Sequence, residues 1–124
     1  MKKMVVINLV LLTLLSCSQG IELNRVKGIH GPNAPKVTEQ GVVFSILAPD
    51  AVLVTIAGNF NGWNHIATPL TKGNDGVWKI TIPLPKNQKY LYQFVVDGYW
   101  IADPDNPKVE NSGEGPVYSV IEVR

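Results

Sequence analysis

Apolar and polar residues alternate in short runs over most of this chain, and beyond the first sixteen residues no window holds the three-to-four-residue period of an amphipathic helix. In AVLVTIAG (51–58) the alternation puts Val52, Val54 and Ile56 on one face. In GVWKITIPL (76–84) Trp78, Ile80 and Ile82 fall together, which assigns Trp78 to a core, while Lys79 and Thr81 lie opposite. KYLYQFVVDG (89–98) places Tyr90, Tyr92, Phe94 and Val96 on one side and Leu91, Gln93, Val95 and Asp97 on the other. GVVFSILA (41–48) ends at the turn pair Pro49-Asp50, Asp97-Gly98 reads as a tight hairpin into YWIAD, and VYSVIEV (117–123) is the last strand. Short strands separated by turn signals predict an all-β fold, an antiparallel β-sandwich.

The length of 124 residues suits one such domain, and a net charge of +1 offers no basic field for nucleic acid. The first residues have a different character. A basic MKK precedes the apolar run Met4 to Leu15, which is shorter than the roughly 20 residues a membrane-spanning helix needs and fits an export signal. The run closes on LLSC, Leu14 to Cys17, which resembles the lipobox of bacterial lipoproteins. That resemblance implies cleavage after residue 16 and lipid attached to the Cys17 thiol. Cys17 is the only cysteine, so no disulfide is expected. Ser18, rather than Asp, after the cysteine is compatible with the outer membrane. The expected organisation is a signal at 1–16, a lipidated Cys17 with a Gly/Pro-punctuated tether and lead-in to 36, and a sandwich over 37–124. His30, in the tether, is expected to be solvated.

Six pieces then occur in a fixed order: GNFNGW (58–63), PL (69–70), GVWKITIPLP (76–85), YLYQFVVDGYW (90–100), DPDNP (103–107) and the closing VYSVIEV. This set resembles the family 48 carbohydrate-binding module, whose fold is also that of the glycogen-binding domain of the AMP-activated kinase β subunit and of the N-terminal early set domain of isoamylases and branching enzymes. The resemblance covers residues 37–124. It implies an immunoglobulin-like (early set) sandwich that binds α-1,4-glucans such as glycogen or starch.

A glucose ring has an apolar C–H face and a rim of hydroxyls, so a site for it needs flat aromatic platforms with a few polar groups at their edges. Trp63 and Trp100 stand beside turns, where burial is harder, and the resemblance implies that they form the sugar platform. Both positions also suit rings that cap the end of the sandwich. Gln93, where the family often carries Lys, can donate to and accept from a sugar hydroxyl. Asn61 and Asn64 flank Trp63 and suit its turn; Asn61 is also a candidate sugar ligand, and His65 is a candidate for the rim of the site that reads first as a surface residue. In glycogen binders the loop before the last strand supplies a Leu, a Thr and an Asn to the ligand. Here it reads VENSGEGPVYS (109–119), with Asn111 and Ser112 as polar candidates and no Leu. Two half-buried Trp platforms at ~100 Å² each and a few net hydrogen bonds, set against the cost of association, place the Kd between about 10 μM and several mM.

No cofactor, metal constellation or catalytic pair is expected. A glycosidase needs two carboxylates across a cleft, whereas Asp50, Asp75, Asp97, Asp103 and Asp105 sit mostly in turns. In isoamylase-like enzymes the resembling domain precedes a large catalytic barrel, and no such barrel is expected within these residues. The reading is a non-catalytic α-glucan-binding protein, lipid-anchored to the bacterial envelope. The alternative is a structural or protein-interaction sandwich that has lost sugar affinity.

Overall fold

A computed structural model describes residues 31–111 and 113–124; the export signal, Cys17 and His30 lie outside the described residues. The strands are β1 (Lys36–Thr38), β2 (Gly41–Leu47), β3 (Val54–Gly58), β4 (Thr71–Lys72), β5 (Val77–Ile82), β6 (Gln88–Val96), β7 (Tyr99–Ile101), β8 (Val109–Asn111) and β9 (Val117–Val123). All pairings between them are antiparallel. One sheet runs β1-β2-β5-β4 and the other β3-β6-β9-β8, with β7 pairing the far end of β6. No helix forms among the described residues.

The period-two pattern explains how the sheets meet. Val42, Phe44 and Ile46 of β2 and Trp78 of β5 face Val54 and Ile56 of β3 and Tyr90, Tyr92 and Phe94 of β6, all buried in one cluster. Phe44 meets Tyr92 edge to face at 4.8 Å, and Tyr92 meets Phe94 the same way at 5.8 Å. The Trp78 indole is buried because its N–H donates to the Ala48 carbonyl at 2.9 Å. Full burial of one such ring contributes about 1.5–3 kcal/mol. Lys79 and Thr81 face solvent, as the alternation predicts.

The β6–β7 hairpin forms where Asp97-Gly98 predicts it. Both residues take left-handed φ, 49° and 88°, the combination a two-residue hairpin turn requires. The same Asp97 corrects the reading of the preceding strand. Its carboxylate accepts from the backbone N–H of Val52 and Leu53 at 2.9 and 2.8 Å. Those two residues are held by the hairpin instead of the sheet ladder, the strand starts only at Val54, and Val52 is 85% exposed where alternation placed it in the core.

The folded body also begins before residue 37. Gly31 N–H donates to the Asp105 carbonyl and Asn33 N–H to its carboxylate, Ser45 donates to the Asn33 carbonyl, Ala34 is buried, and Lys36 pairs with Val43. DPDNP does more than turn. Asp103 is buried and accepts from the Tyr92 hydroxyl at 2.7 Å and from Asp105 N–H at 2.9 Å. Asn106 donates to the same hydroxyl and to the Val120 carbonyl. Burial holds the Asp103 carboxyl above the usual carboxylate range and pushes the Tyr92 hydroxyl far above that of a free tyrosine. This polar knot closes the end of the core beneath the β7–β8 connection.

Candidate functional site

The odd-numbered residues of β6 point away from the core, onto the outer face of the five-stranded sheet. Gln93 pairs with Ala57 of β3 on one side. On its other side the β6–β9 register, continued one step past Tyr92–Ser119, brings Tyr118 opposite. Two residues further along β6, Val95 stands between Thr55 of β3 and Trp100 of β7. Tyr118 and Trp100 therefore lie on the same flank of β6 and the same face, in rows roughly 7 Å apart along the strand.

The third ring arrives from the loop after β3. Gly58 leads into it because a Cβ there would sit 2.5 Å from the Phe60 ring and 2.6 Å from the Leu91 carbonyl oxygen. Phe60 turns inward against Phe44 and Tyr90. Asn61 then fastens the loop: its Oδ1 accepts from Gly58 N–H, and its amide donates to the Ile56 carbonyl and the Thr68 hydroxyl, each at 3.0 Å. Trp63 N–H donates to the Gly58 carbonyl at 2.9 Å, and Trp63 takes a left-handed φ of 59°, uncommon for a bulky residue. The result is that the indole lies 5.0 Å from the Tyr118 ring, with planes tilted by 48°. Ala57 and Tyr118 are two strand spacings apart, roughly 9–10 Å. Gln93, between Ala57 and Tyr118 in the register, is only 7% exposed on an outward-facing position.

A second ring pair stands beside the first. His65 is set by the Thr55 hydroxyl, which donates to its carbonyl at 2.7 Å, and by Asn64, whose Oδ1 accepts from the N–H groups of Ile66 and Ala67. Its imidazole lies 6.0 Å from the Trp100 indole at 49°. Trp100 is 43% exposed. The polar edges of these rings are uncommitted: the Trp63 and Trp100 indole N–H groups and the Tyr118 hydroxyl have no hydrogen-bond partner among the described residues. Gln93 makes one long bond, from its amide to the Val117 carbonyl at 3.4 Å. The arrangement can stack against a flat ligand with apolar faces and supply donors and acceptors at its edge.

The same face carries charge beside Tyr118 and beyond it, Glu110 standing opposite Tyr118 in the β8–β9 register. Lys89 pairs with Glu110 at 2.6 Å, and Lys108 and Arg124 both reach Glu122, at 2.7 and 3.1 Å. Glu110 holds the Lys89 ammonium above its usual range, and Lys108 holds the Glu122 carboxyl below its own. Among the described residues no group of three or more His, Cys, Asp or Glu could hold a metal ion.

Of the residues singled out in the sequence, Trp63, Gln93 and Trp100 share one face. Asn61 belongs to the same loop as Trp63, but its amide is spent on holding that loop. Asn111 pairs with Val117, so by alternation it turns to the opposite face from Tyr118, and its Oδ1 accepts from Gly113 N–H at 2.9 Å. Sequence reasoning missed Tyr118 as a member of the cluster, and His65, a rim candidate that read first as a surface residue, lies in it. Alternation in VYSVIEV groups Tyr118 with Val120 and Glu122, but only the pairing of β9 with β6 sets it against Gln93.

Comparison with known proteins bears on what such a face binds. Residues 30–109 match the family described as carbohydrate-binding module 48 (isoamylase N-terminal domain). The chain is 43% identical over 63 residues to the 1,4-alpha-glucan branching enzyme GlgB of Corynebacterium jeikeium, an alignment covering 50% of this chain and 8% of the enzyme. It is 50% identical over 60 residues to that of Hydrogenovibrio crunogenus (48% and 8%) and 31% identical over 91 residues to that of Rhodopirellula baltica (69% and 11%). The chain thus spans only a small fraction of the length of these relatives, and what they share with it is the module. With the two-sheet antiparallel fold and the family match over most of the described residues, the chain belongs to the carbohydrate-binding module 48 (isoamylase N-terminal domain) family.

Proposed function

We propose that this protein is a non-catalytic α-1,4-glucan-binding module, held at the bacterial envelope by lipid on Cys17. The observation that carries the sugar reading is the pairing of Trp63 with Tyr118 and of Trp100 with His65 around Gln93, with ring donors left unbonded. The name of its relatives, 1,4-alpha-glucan branching enzyme, points to the glucan. The non-catalytic reading is supported by how the carboxylates are used. Asp75, Asp97, Asp103 and Asp105 accept backbone N–H groups, while Glu110 and Glu122 are ion-paired. Many copies displayed on one membrane would bind a long polymer with avidity well above that of a single site.

Affinity gels containing soluble starch, glycogen or a β-glucan test this reading. Retardation is expected in the first two and not the third, and it should vanish in Trp100→Ala. The alternative of a sandwich without sugar affinity is favoured by one observation, the Gly113–Pro116 stretch that holds no Leu to press on a ligand; it predicts no retardation in any gel. The anchor rests on the LLSC motif alone. Cys17→Ser should move the protein from the membrane fraction to the soluble envelope fraction, and an unchanged distribution would refute lipidation.

A further inference from the structure

Tyr118 has a place in the site that the loop before β9 leaves open. Residues 113–116 are Gly, Glu, Gly and Pro, so the stretch holds no Leu to press on a ligand. Three features single Tyr118 out. Its ring meets Trp63 at 5.0 Å with a 48° tilt, which turns a single indole plane into an angled wall. The register sets it across from Gln93, in the row next to that of Trp100. Its hydroxyl has no hydrogen-bond partner among the described residues, whereas the buried Tyr90 and Tyr92 hydroxyls both donate, to Pro85 and Asp103.

We propose that Tyr118 is a ligand-contacting, specificity-determining residue of this site, its ring forming an angled wall with Trp63 and its free hydroxyl bonding a sugar hydroxyl beside Gln93. The assignment rests on the α-glucan reading above. An angled pair of platforms suits a chain whose successive sugar rings are turned relative to one another, as in a coiled α-1,4-glucan. A flat β-1,4 chain can lie on one platform only. The hydroxyl adds an edge contact that the ring alone cannot make.

The test is titration calorimetry of the full folded domain with maltoheptaose, with cellohexaose as control. Tyr118→Phe keeps the ring and removes one donor. It should weaken maltoheptaose binding about three- to tenfold, the equivalent of one net hydrogen bond, without changing the melting temperature. Tyr118→Ala should weaken it further and narrow the preference over cellohexaose. Wild-type affinity in Tyr118→Phe, or an unaltered preference in Tyr118→Ala, overturns the assignment while leaving the glucan reading intact. If the wild-type domain binds neither oligosaccharide, both fall together.

Discussion

On the inner face of β6, Tyr92 donates its hydroxyl proton to Asp103 and accepts from Asn106, Tyr90 donates to the Pro85 carbonyl, and across the core Trp78 donates to Ala48. On the outer face of the same strand, Trp63, Tyr118 and Trp100 gather around Gln93 with their donors unbonded among the described residues. Both faces are rich in aromatic rings. What separates a core from a site is the state of the polar atoms. A buried hydroxyl or indole N–H costs about 1–3 kcal/mol if left without a partner, so folding places a partner beside each one. At a binding face the bond is left for the ligand to make.

That contrast can be broken from either side. The largest effect should come from the closed face. Phe94→Ala empties the centre of the core and should cost about 3–5 kcal/mol in urea or thermal unfolding. Any glucan affinity of the fraction still folded should persist, because Phe94 points away from Gln93. Next comes the open face. Trp100→Ala should reduce glucan affinity by about 2–3 kcal/mol, roughly 30- to 150-fold, with stability changed by less than about 1 kcal/mol. A stability loss like that of Phe94→Ala would make Trp100 a packing residue and dissolve the distinction.

The smallest effect is the most specific to the polar knot. Tyr92→Phe leaves Asp103 without its phenol donor and should cost about 1–2 kcal/mol at neutral pH. Its pH dependence follows from burial. The folded protein holds the Tyr92 proton well above the pH at which the unfolded chain releases it, near pH 10. The contribution is therefore complete below about pH 10 and declines as pH rises beyond it, because the unfolded state alone ionises there. Urea midpoints between pH 9 and 11 should fall more steeply for wild type than for Tyr92→Phe, and parallel curves would show that this proton does not sense folding.

The inner face was readable from the chain because a period of two is a local property. Tyr90, Tyr92 and Phe94 occupy one side wherever the strand goes, and Asp97-Gly98 can hardly be anything but a hairpin. The outer face depends on which strands become neighbours. Tyr118 reaches Gln93 only because β9 pairs with the first half of β6, and His65 reaches Trp100 only because Thr55 and Asn64 fold its loop down. Val52 failed the pattern for a related reason: a carboxylate 45 residues away took its backbone N–H. Asp103 was legible as a turn residue and not as the partner of Tyr92, since no spacing in DPDNP announces a buried phenol.

The left-handed bend at Trp63 is set by bonds within its own loop, from Trp63 N–H to Gly58 and from the Asn61 amide to Ile56 and Thr68. A conformation of this kind costs of order 1–3 kcal/mol for a residue with a side chain, and that cost is met once, when the chain folds. The indole is consequently at its station before any sugar arrives, and capture does not have to immobilise it. On the glucan-binding reading proposed above, the cost of ordering this ring is therefore absent from the binding equilibrium.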